Sequence, residues 1–353
     1  MAMRYLVNSL HLILVLFLTA CAQQASEEYV LPDFPRNSSA DLAIISNNVY
    51  YNVIHDLYSY NDYIIVIAND IVSGRCVHIY DKKSGDILNS GLTRGRGPNE
   101  TMIGFMNTYF DKKYGLIKMW DSSKKSLLLI DVDALAANLP DPVSETYYNF
   151  FDSWVLHRIP IDDKFLNIYN PSYLKEQDLY CRMTLTDNQN DTLTVLPEFP
   201  DISVHERYHM YNNSIAALSD DSKTVAIGTS CGAILEIFSI QSNKIKAEYT
   251  GKFSPVLMLD DNIGIDTDNT NYGFADIDVV NGNIITAFHG TKAIETEIIF
   301  NDIAIWDLNG SPLKKIEIKY KIHRLVYDDK DEMLYLVVSD DEGMYLAKLV
   351  LPL

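Results

Sequence analysis

Asn283-Ile284-Ile285-Thr286-Ala287-Phe288, then Ile303-Ala304-Ile305-Trp306-Asp307-Leu308-Asn309-Gly310, then Leu313-Lys314-Lys315-Ile316-Glu317-Ile318: three short runs divided by turn text. The first is apolar almost throughout, as befits a strand covered on both faces. The second closes with Asp and Asn-Gly, residues that favour tight turns, and the third alternates charge with hydrophobe as a strand with one wet face does.

The same order recurs along the chain. Tyr63-Ile64-Ile65-Val66-Ile67-Ala68 precedes Cys76-Val77-His78-Ile79-Tyr80-Asp81, and Leu116-Ile117-Lys118-Met119-Trp120-Asp121 precedes Ser126-Leu127-Leu128-Leu129-Ile130-Asp131. Thr224-Val225-Ala226-Ile227-Gly228 leads into Ile234 to Ile240 and then Lys244 to Tyr249, Leu334 to Val338 leads into Met344 to Leu349, and a looser set spans Phe165 to Leu196. In each unit we read an inner strand, a strand ending in Asp or a polar turn, and an outer amphipathic strand. Six such units at roughly 40 to 60 residues each predict an all-β, six-bladed β-propeller, whose closure protects its strand edges. Leu42-Ala43-Ile44-Ile45 stands before the first full unit and is expected to complete the last blade and latch the ring. Helical periodicity is scarce, with one short turn expected at Val132 to Asn138 behind Asp131.

At the N-terminus, Arg4 is followed by an apolar stretch from Leu10 to Leu18 and then by Thr19-Ala20-Cys21. This is the layout of a secretory leader, too short to span a membrane as a stable helix. Leu18-Thr19-Ala20-Cys21 resembles the lipobox of bacterial lipoproteins, in which the cysteine receives a diacylglycerol. The expected organisation is therefore a signal peptide over 1–20, a lipidated N-terminus and polar tether over 21–40, and a propeller over 41–353. Two or three acyl chains on Cys21 would anchor the protein stably, at about 0.8 kcal/mol per buried methylene.

The chain carries 29 basic and 48 acidic side chains, a net charge of −19. Such a surface repels phosphate backbones, so nucleic acid is disfavoured as a partner. Cys76, Cys181 and Cys231 lie far apart, without redox or zinc spacing, and are expected to be buried, unreactive thiols. The histidines His55, His78, His157, His205, His209, His289 and His323 show no paired metal spacing. No nucleophile elbow, P-loop, dinucleotide fingerprint or zincin motif is present.

Thr93-Arg94-Gly95-Arg96-Gly97-Pro98-Asn99-Glu100 ends the first unit. It resembles the Gly-x-Gly-Pro-x-Glu signature of the TolB-like six-bladed propeller lipoproteins abundant in Bacteroidetes, as do the leader, the chain length and the late Tyr327 to Tyr335 segment. The resemblance implies fold and location and carries no established chemistry. Read physically, Gly95 and Gly97 are expected to take backbone angles closed to other residues, Pro98 to stiffen the turn, and Glu100 to accept from freed backbone donors. Arg94 and Arg96 would offer forked donors to an anion at the channel mouth, or else brace the crossover.

Other candidate ligand contacts are His205, Arg207 and Tyr208 in the stretch entering the fourth unit, Tyr272 with Phe274 before the fifth, and His323 with Arg324 before the sixth. Trp120-Asp121 and Trp306-Asp307 are read as strand ends whose Asp caps a turn, since the Gly-His partner of WD repeats is missing. Asp260-Asp261-Asn262 and Asp266 to Asn271 offer oxygens enough to raise calcium, but EF-hand spacing fails. Asp191-Thr192-Leu193 matches a short O-glycosylation pattern of exported Bacteroidetes proteins. No catalytic residue and no required cofactor are predicted. The expectation is a propeller of the cell envelope that binds a small anionic or glycan ligand or a partner protein, lipid-anchored and facing the periplasm or the surface. A metal-dependent hydrolase or lyase with its site in the channel, and a structural accessory of an outer-membrane complex, are the alternatives.

Overall fold

In the computed structural model, the described residues are 29–47, 49, 51, 53–70, 72–102, 106–148, 155–169, 182–187, 189–196, 199, 204–212, 214–259, 264–292 and 300–353. Two N-terminal strands, β1 (Asn37–Ser39) and β2 (Ala43–Ser46), precede six antiparallel sheets. Blade one comprises β3 (Ile54–Tyr60), β4 (Tyr63–Ala68), β5 (Arg75–Asp81) and β6 (Ile87–Arg94), with the two-residue β7 (Glu100–Thr101) running parallel to β6. Blade two holds β8 (Met106–Asp111), β9 (Leu116–Asp121), β10 (Ser126–Asp131) and β11 (Val143–Tyr147), and α1 (Val132–Ala136) sits between its last two strands. Blade three holds β12 (Val155–Ile161), β13 (Lys164–Tyr169), β14 (Met183–Asp187) and β15 (Thr192–Leu196). After α2 (Val204–Tyr211), blade four follows as β16 (Ile215–Leu218), β17 (Thr224–Gly228), β18 (Ala233–Gln241) and β19 (Lys244–Ser254). Blade five is β20 (Phe274–Val280), β21 (Asn283–Phe288), β22 (Asp302–Asp307) and β23 (Pro312–Glu317), and blade six is β24 (Lys321–Asp328), β25 (Met333–Ser339) and β26 (Met344–Val350).

The ring closes as the sequence predicts. Strand β2 pairs antiparallel with β26, Ala43 against Lys348 and Ile44 against Ala347, and supplies the outermost strand of blade six. One feature was not foreseen: β1 lies parallel to the outer edge of β23, making blade five five-stranded. Upstream of it, Phe34 is 5% exposed, with its ring edge-on to Trp306 at 4.9 Å. The segment expected as a tether over 21–40 is thus engaged with the body from Phe34 onward, because an aromatic side chain beside an open aromatic cluster gains more buried than in water.

The strands expected to be innermost are in fact second in their blades. Each is preceded by a further strand, β3, β8, β12, β16, β20 or β24, more polar in every blade but the fourth, and these six form the inner wall. Hairpin chemistry explains the pairing in blades one and five, where Asn61-Asp62 and Asn281-Gly282 form the turns. Asn61, Asn281 and Gly282 take positive φ values of 50°, 49° and 74°, the left-handed geometry that two-residue hairpins require. The second strands are covered on both faces, as their unbroken apolar text implies: Ile64 to Ala68 are all 0% exposed.

The core lies between blades rather than within them, in apolar clusters that span blades one and two, three and four, four and five, five and six, and six and one. Between blades two and three, the buried Arg158 guanidinium lies 5.0 Å from the ring of Trp120 and 4.2 Å from that of Phe165. Asp-ended turns bear out the reading of the Trp-Asp pairs. Asp121 Oδ1 accepts from Ser123 N at 2.9 Å and Asp307 Oδ1 from Ser311 N at 2.8 Å. The two pairs are not equivalent, however: Trp120 ends the second strand of its blade and Trp306 the third. Helix α1 is capped as expected by Asp131, whose carboxylate accepts from Ala134 N at 2.9 Å.

Candidate functional site

The six innermost strands run the same way, so their starting ends share one face of the ring, here called the upper face. The connections from each outermost strand to the next blade also lie there. Midway down the axis is a cavity of about 140 Å³ that receives residues from all six strands, among them Asp56, Thr108, Ile159, Ala216, Asp276 and Leu325. Above it lies a hollow of about 190 Å³, reached by His55, Asn107, His157 and Arg324. Asp56, Thr108, Ile159, Ala216 and Asp276 line both, so the two adjoin along the axis and are together called the channel below. At the lower mouth, Lys112 pairs with Asp220 at 2.9 Å.

Strand alternation sets which side chains face the axis. Asp276 and Asp278, two apart on β20, reach across to blade six, where Asp276 Oδ2 accepts from Leu325 N at 2.7 Å and Asp278 Oδ2 from Tyr327 N at 2.8 Å. Two seams further round the ring, Tyr58 OH donates to Thr108 Oγ1 at 2.9 Å, and Thr108 Oγ1 donates to Asp56 Oδ2, tying blade one to blade two. Arg324 spans three blades at the upper mouth. Its Nε donates to His55 O at 2.7 Å, and its Nη1 to His323 O at 2.7 Å and Ala275 O at 3.4 Å. His157 Nε2 meets Ser214 O at 2.8 Å between blades three and four.

The electrostatics follow from burial. Burial pushes Asp56 up to about 7, against the pull of Arg324 and with Asp276 adding to the rise. Burial likewise raises Asp276 to about 6 despite Arg324, and raises Asp278 despite Lys112. His55 is lowered by burial and by Arg324, and His323 falls to about 4 through burial, Lys321 and Arg324. Both imidazoles are therefore neutral near pH 7. Among the described residues, no ion pair engages Asp56, Asp276 or Asp278. Nor do any three His, Cys, Asp or Glu side chains gather there as a metal centre would need.

Of the residues singled out from the sequence, Arg324 reaches the channel. His323, beside it, holds Ser339 Oγ at 2.8 Å. Arg94 and Arg96 are exposed on the crossover after β6 and line neither part of the channel. Around them the crossover is braced: Glu100 Oε2 accepts from Gly97 N at 2.7 Å, and Lys124 donates to Gly97 O and Glu100 O, both at 2.8 Å, while pairing with Glu145 at 2.6 Å. The expected reason for the glycines needs correcting. It is Asn99 that takes the positive φ, of 56°, while Gly95 and Gly97 do not. Their small size is needed because a Cβ on Gly95 would stand 2.0 Å from Glu100 Oε2, and one on Gly97 2.9 Å from it.

The stretch with His205, Arg207 and Tyr208 that enters the fourth blade is the two-turn helix α2, anchored at its end by the buried Met210 and Tyr211. Arg207 lies 4.8 Å from the ring of Phe199, and Tyr208 is 40% exposed beside His209. The side chain of His205 is outside the described residues. Tyr272 is 7% exposed and Phe274 fully buried, so both rings serve packing. Of the calcium candidates, Asp260, Asp261 and Asn262 lie outside the described residues, and Asp266 accepts from Asn269 N at 3.2 Å in a local turn. Cys76 is buried and its thiol pushed up to about 12 by burial, as expected of an inert cysteine; Cys231 is half-buried, and Cys181 lies outside the described residues.

Asp56, Thr108, His157 and Asp276 were missed by sequence reasoning. Each sits on an innermost strand whose mixed text, such as Ile54-His55-Asp56-Leu57-Tyr58-Ser59-Tyr60, reads as a loop. For Asp56 and Asp276 the available signal was the Asn61-Asp62 or Asn281-Gly282 turn joining the segment to the apolar run behind it, and the hairpins of Thr108 and His157 carry no such turn.

No protein-family model matches the chain, and no curated protein matches its sequence. Solved structures do resemble it. A member of the DUF4221 family from Bacteroides vulgatus superposes with a TM-score of 0.54 at 10% identity, over 88% of this chain and 96% of that one. A Bacteroides fragilis protein described as a candidate exported protein gives 0.53 at 12% identity, over 89% and 97%. A gluconolactonase of Xanthomonas campestris gives 0.51 at 11% identity, over 94% and 99%. At these identities the likeness is one of fold.

Proposed function

We propose that this chain is an exported, lipid-anchored β-propeller of the TolB-like kind that binds a small polar ligand in its central channel at the cell envelope. The observation that carries the binding reading is the convergence of all six innermost strands on axial cavities lined by Asp56, Thr108, Asp276 and Arg324. These polar side chains also bond between blades, but their convergence from several strands on one concave, largely polar space is what suits a site for a polar ligand. Support for export comes from the leader and from Leu18-Thr19-Ala20-Cys21, with the exported description of a protein of similar fold in agreement. Arg94 and Arg96, exposed on the upper side, remain candidates for contact with an anionic or protein partner.

Two measurements test this. Replacing Cys21→Ser should move the protein from the membrane fraction to the soluble one and abolish incorporation of labelled fatty acid; unchanged fractionation would overturn the anchor. Ala216 lines both parts of the channel, so Ala216→Leu should narrow it. Thermal-shift screening of small polar compounds should then find hits on the wild type that the variant loses. Hits that survive the substitution would place binding elsewhere.

A further inference from the structure

We propose, resting on the lipid-anchor reading above, that the outer edges of blades five and six are the surface this protein turns to the bilayer, so that blades two and three point away from it. The first argument is where the N-terminal segment is held. Phe34 joins the apolar cluster of blades four and five, beside Trp306 and Phe288. Directly after it the chain is fixed to the outer edge of blade five, where Lys315 N donates to Arg36 O at 2.8 Å and Ala40 N to Glu317 O at 3.0 Å. Strand β2 then continues onto the outer edge of blade six, with Ala43 against Lys348. Residues 34–46 therefore form one belt over two adjacent blades.

The second argument is reach. Cys21 and Phe34 are 13 residues apart in the sequence. Whatever conformation the intervening residues take, a chain of that length cannot span more than about 45 Å. Blade five has five strands, and blade two, opposite it in the ring, has four. At about 4.8 Å between neighbouring strands, the two blades together cover roughly 34 Å, to which the width of the channel is added. Carrying the edge of blade two to the bilayer would use nearly the whole reach, laid straight along the ring. Bringing up the edges of blades five and six uses almost none of it.

The third argument is the surface itself. Between Phe34 and Ser46 the charged side chains are Arg36 and Asp41, which cancel, whereas the chain as a whole carries −19. An acidic surface is repelled by anionic lipid, so a neutral edge approaches it at the least cost. Apolar side chains are also exposed there: Ala43 and Ile44 on the belt, Leu31 just ahead of it and Leu313 beside it. Such surface is better accommodated at a lipid interface than in water.

The test is energy transfer from a dye on one cysteine to an acceptor lipid. The full lipidated chain is purified from membranes and placed in vesicles of phosphatidylethanolamine and phosphatidylglycerol that contain the acceptor. Cys181→Ser and Cys231→Ser remove competing thiols. Leu313→Cys then carries the dye on blade five, and Ser144→Cys carries it on β11, the outermost strand of blade two; both positions are exposed. Transfer from Leu313→Cys should be roughly twofold or more that from Ser144→Cys, because the width of the ring separates the two dyes along the bilayer normal. If the chain with Cys21 intact does not float with the vesicles, the anchor reading falls and this proposal with it. If it floats and the two dyes transfer equally, as they would with the ring lying flat, or Ser144→Cys transfers more, the anchor stands and the orientation is overturned.

Discussion

Lys82, in the turn that leaves the third strand of blade one, donates its ammonium to the carboxylate of Asp328, at the foot of the innermost strand of blade six and 246 residues further along the chain. Both are buried, at 5% and 8% exposure, and Asp331 takes a second contact from the same nitrogen at 3.1 Å. Burial alone would push Asp328 up, but the hydrogen bonds from Lys82 and Ser59 outweigh it and hold this carboxyl below the usual carboxylate range. The pair thus fastens the last blade to the first from within.

Lys82→Met should cost about 3–5 kcal/mol of stability, because it leaves a buried carboxylate without its cation. Replacing both partners, Lys82→Met with Asp328→Leu, should recover part of that loss. Urea unfolding followed by tryptophan fluorescence measures each arm, and a double variant no more stable than Lys82→Met would remove the ion pair from the account.

Between blades three and four, Arg182 grips Glu236 with both terminal nitrogens, one at 2.8 Å, and Tyr211 OH donates to the same carboxylate at 2.7 Å. Glu236→Gln should therefore destabilise by about 3–5 kcal/mol and loosen α2, whose last residue is Tyr211. Hydrogen exchange should show the amides of 208–212 losing protection before those of β17.

Asp56 and Asp276 have the opposite pH signature to Asp328. Their folded values, about 7 and about 6, lie above the unfolded one near 4, so between those limits the native state holds protons that the unfolded state has released. Their contribution therefore destabilises progressively as pH rises through that window and is constant above it. Asp56→Asn should raise stability at pH 8 by about 1–3 kcal/mol relative to wild type, discounted for water in the channel, and leave it unchanged at pH 4. Urea midpoints at the two pH values decide it; an equal shift at both would mean that protonation of Asp56 is not the cause. Asp328, held low, gives up its stabilisation only as pH falls through the acid range.

Gly95→Ala should push the Glu100 carboxylate off Gly97 N, costing about 1–2 kcal/mol. In a Glu100→Ala background the same substitution should cost much less. Thermal melts of the four proteins measure the coupling, and additive effects would show that the close approach does not matter.

Removing residues 1–46 takes away β2, the outer strand of blade six, and with it the cover on Leu346 and Ala347. The truncated chain should melt at a lower temperature and exchange β26 amides quickly. A shorter truncation, ending before Leu31, should melt as the full chain does.

Blade number was legible because strands buried on both faces leave apolar runs, such as Ile64 to Ala68, or runs broken only by Thr286 as in Ile284 to Ala287, whereas periodicity alone does not reveal ring closure. Such runs must come from the inside of a layered sheet wherever the chain carries them. The latch was legible for the same reason of count, since blade six lacked a strand and Ala43 to Ile45 had no blade of its own. The innermost strands were hidden. Facing a wet channel on one edge, they tolerate His55, Asp56, Asn107 and Asp276, which in sequence look like turn residues.

What the sequence determined by itself was the sheet grammar and the acid balance, both set by local composition and periodicity. What only tertiary structure decided was the site. Asp56, Thr108, Asp276 and Arg324 come from four blades, separated by as many as 268 positions along the chain. No local pattern records which of a propeller's polar residues will meet at its axis, because their meeting is fixed by ring closure, which depends on every blade at once.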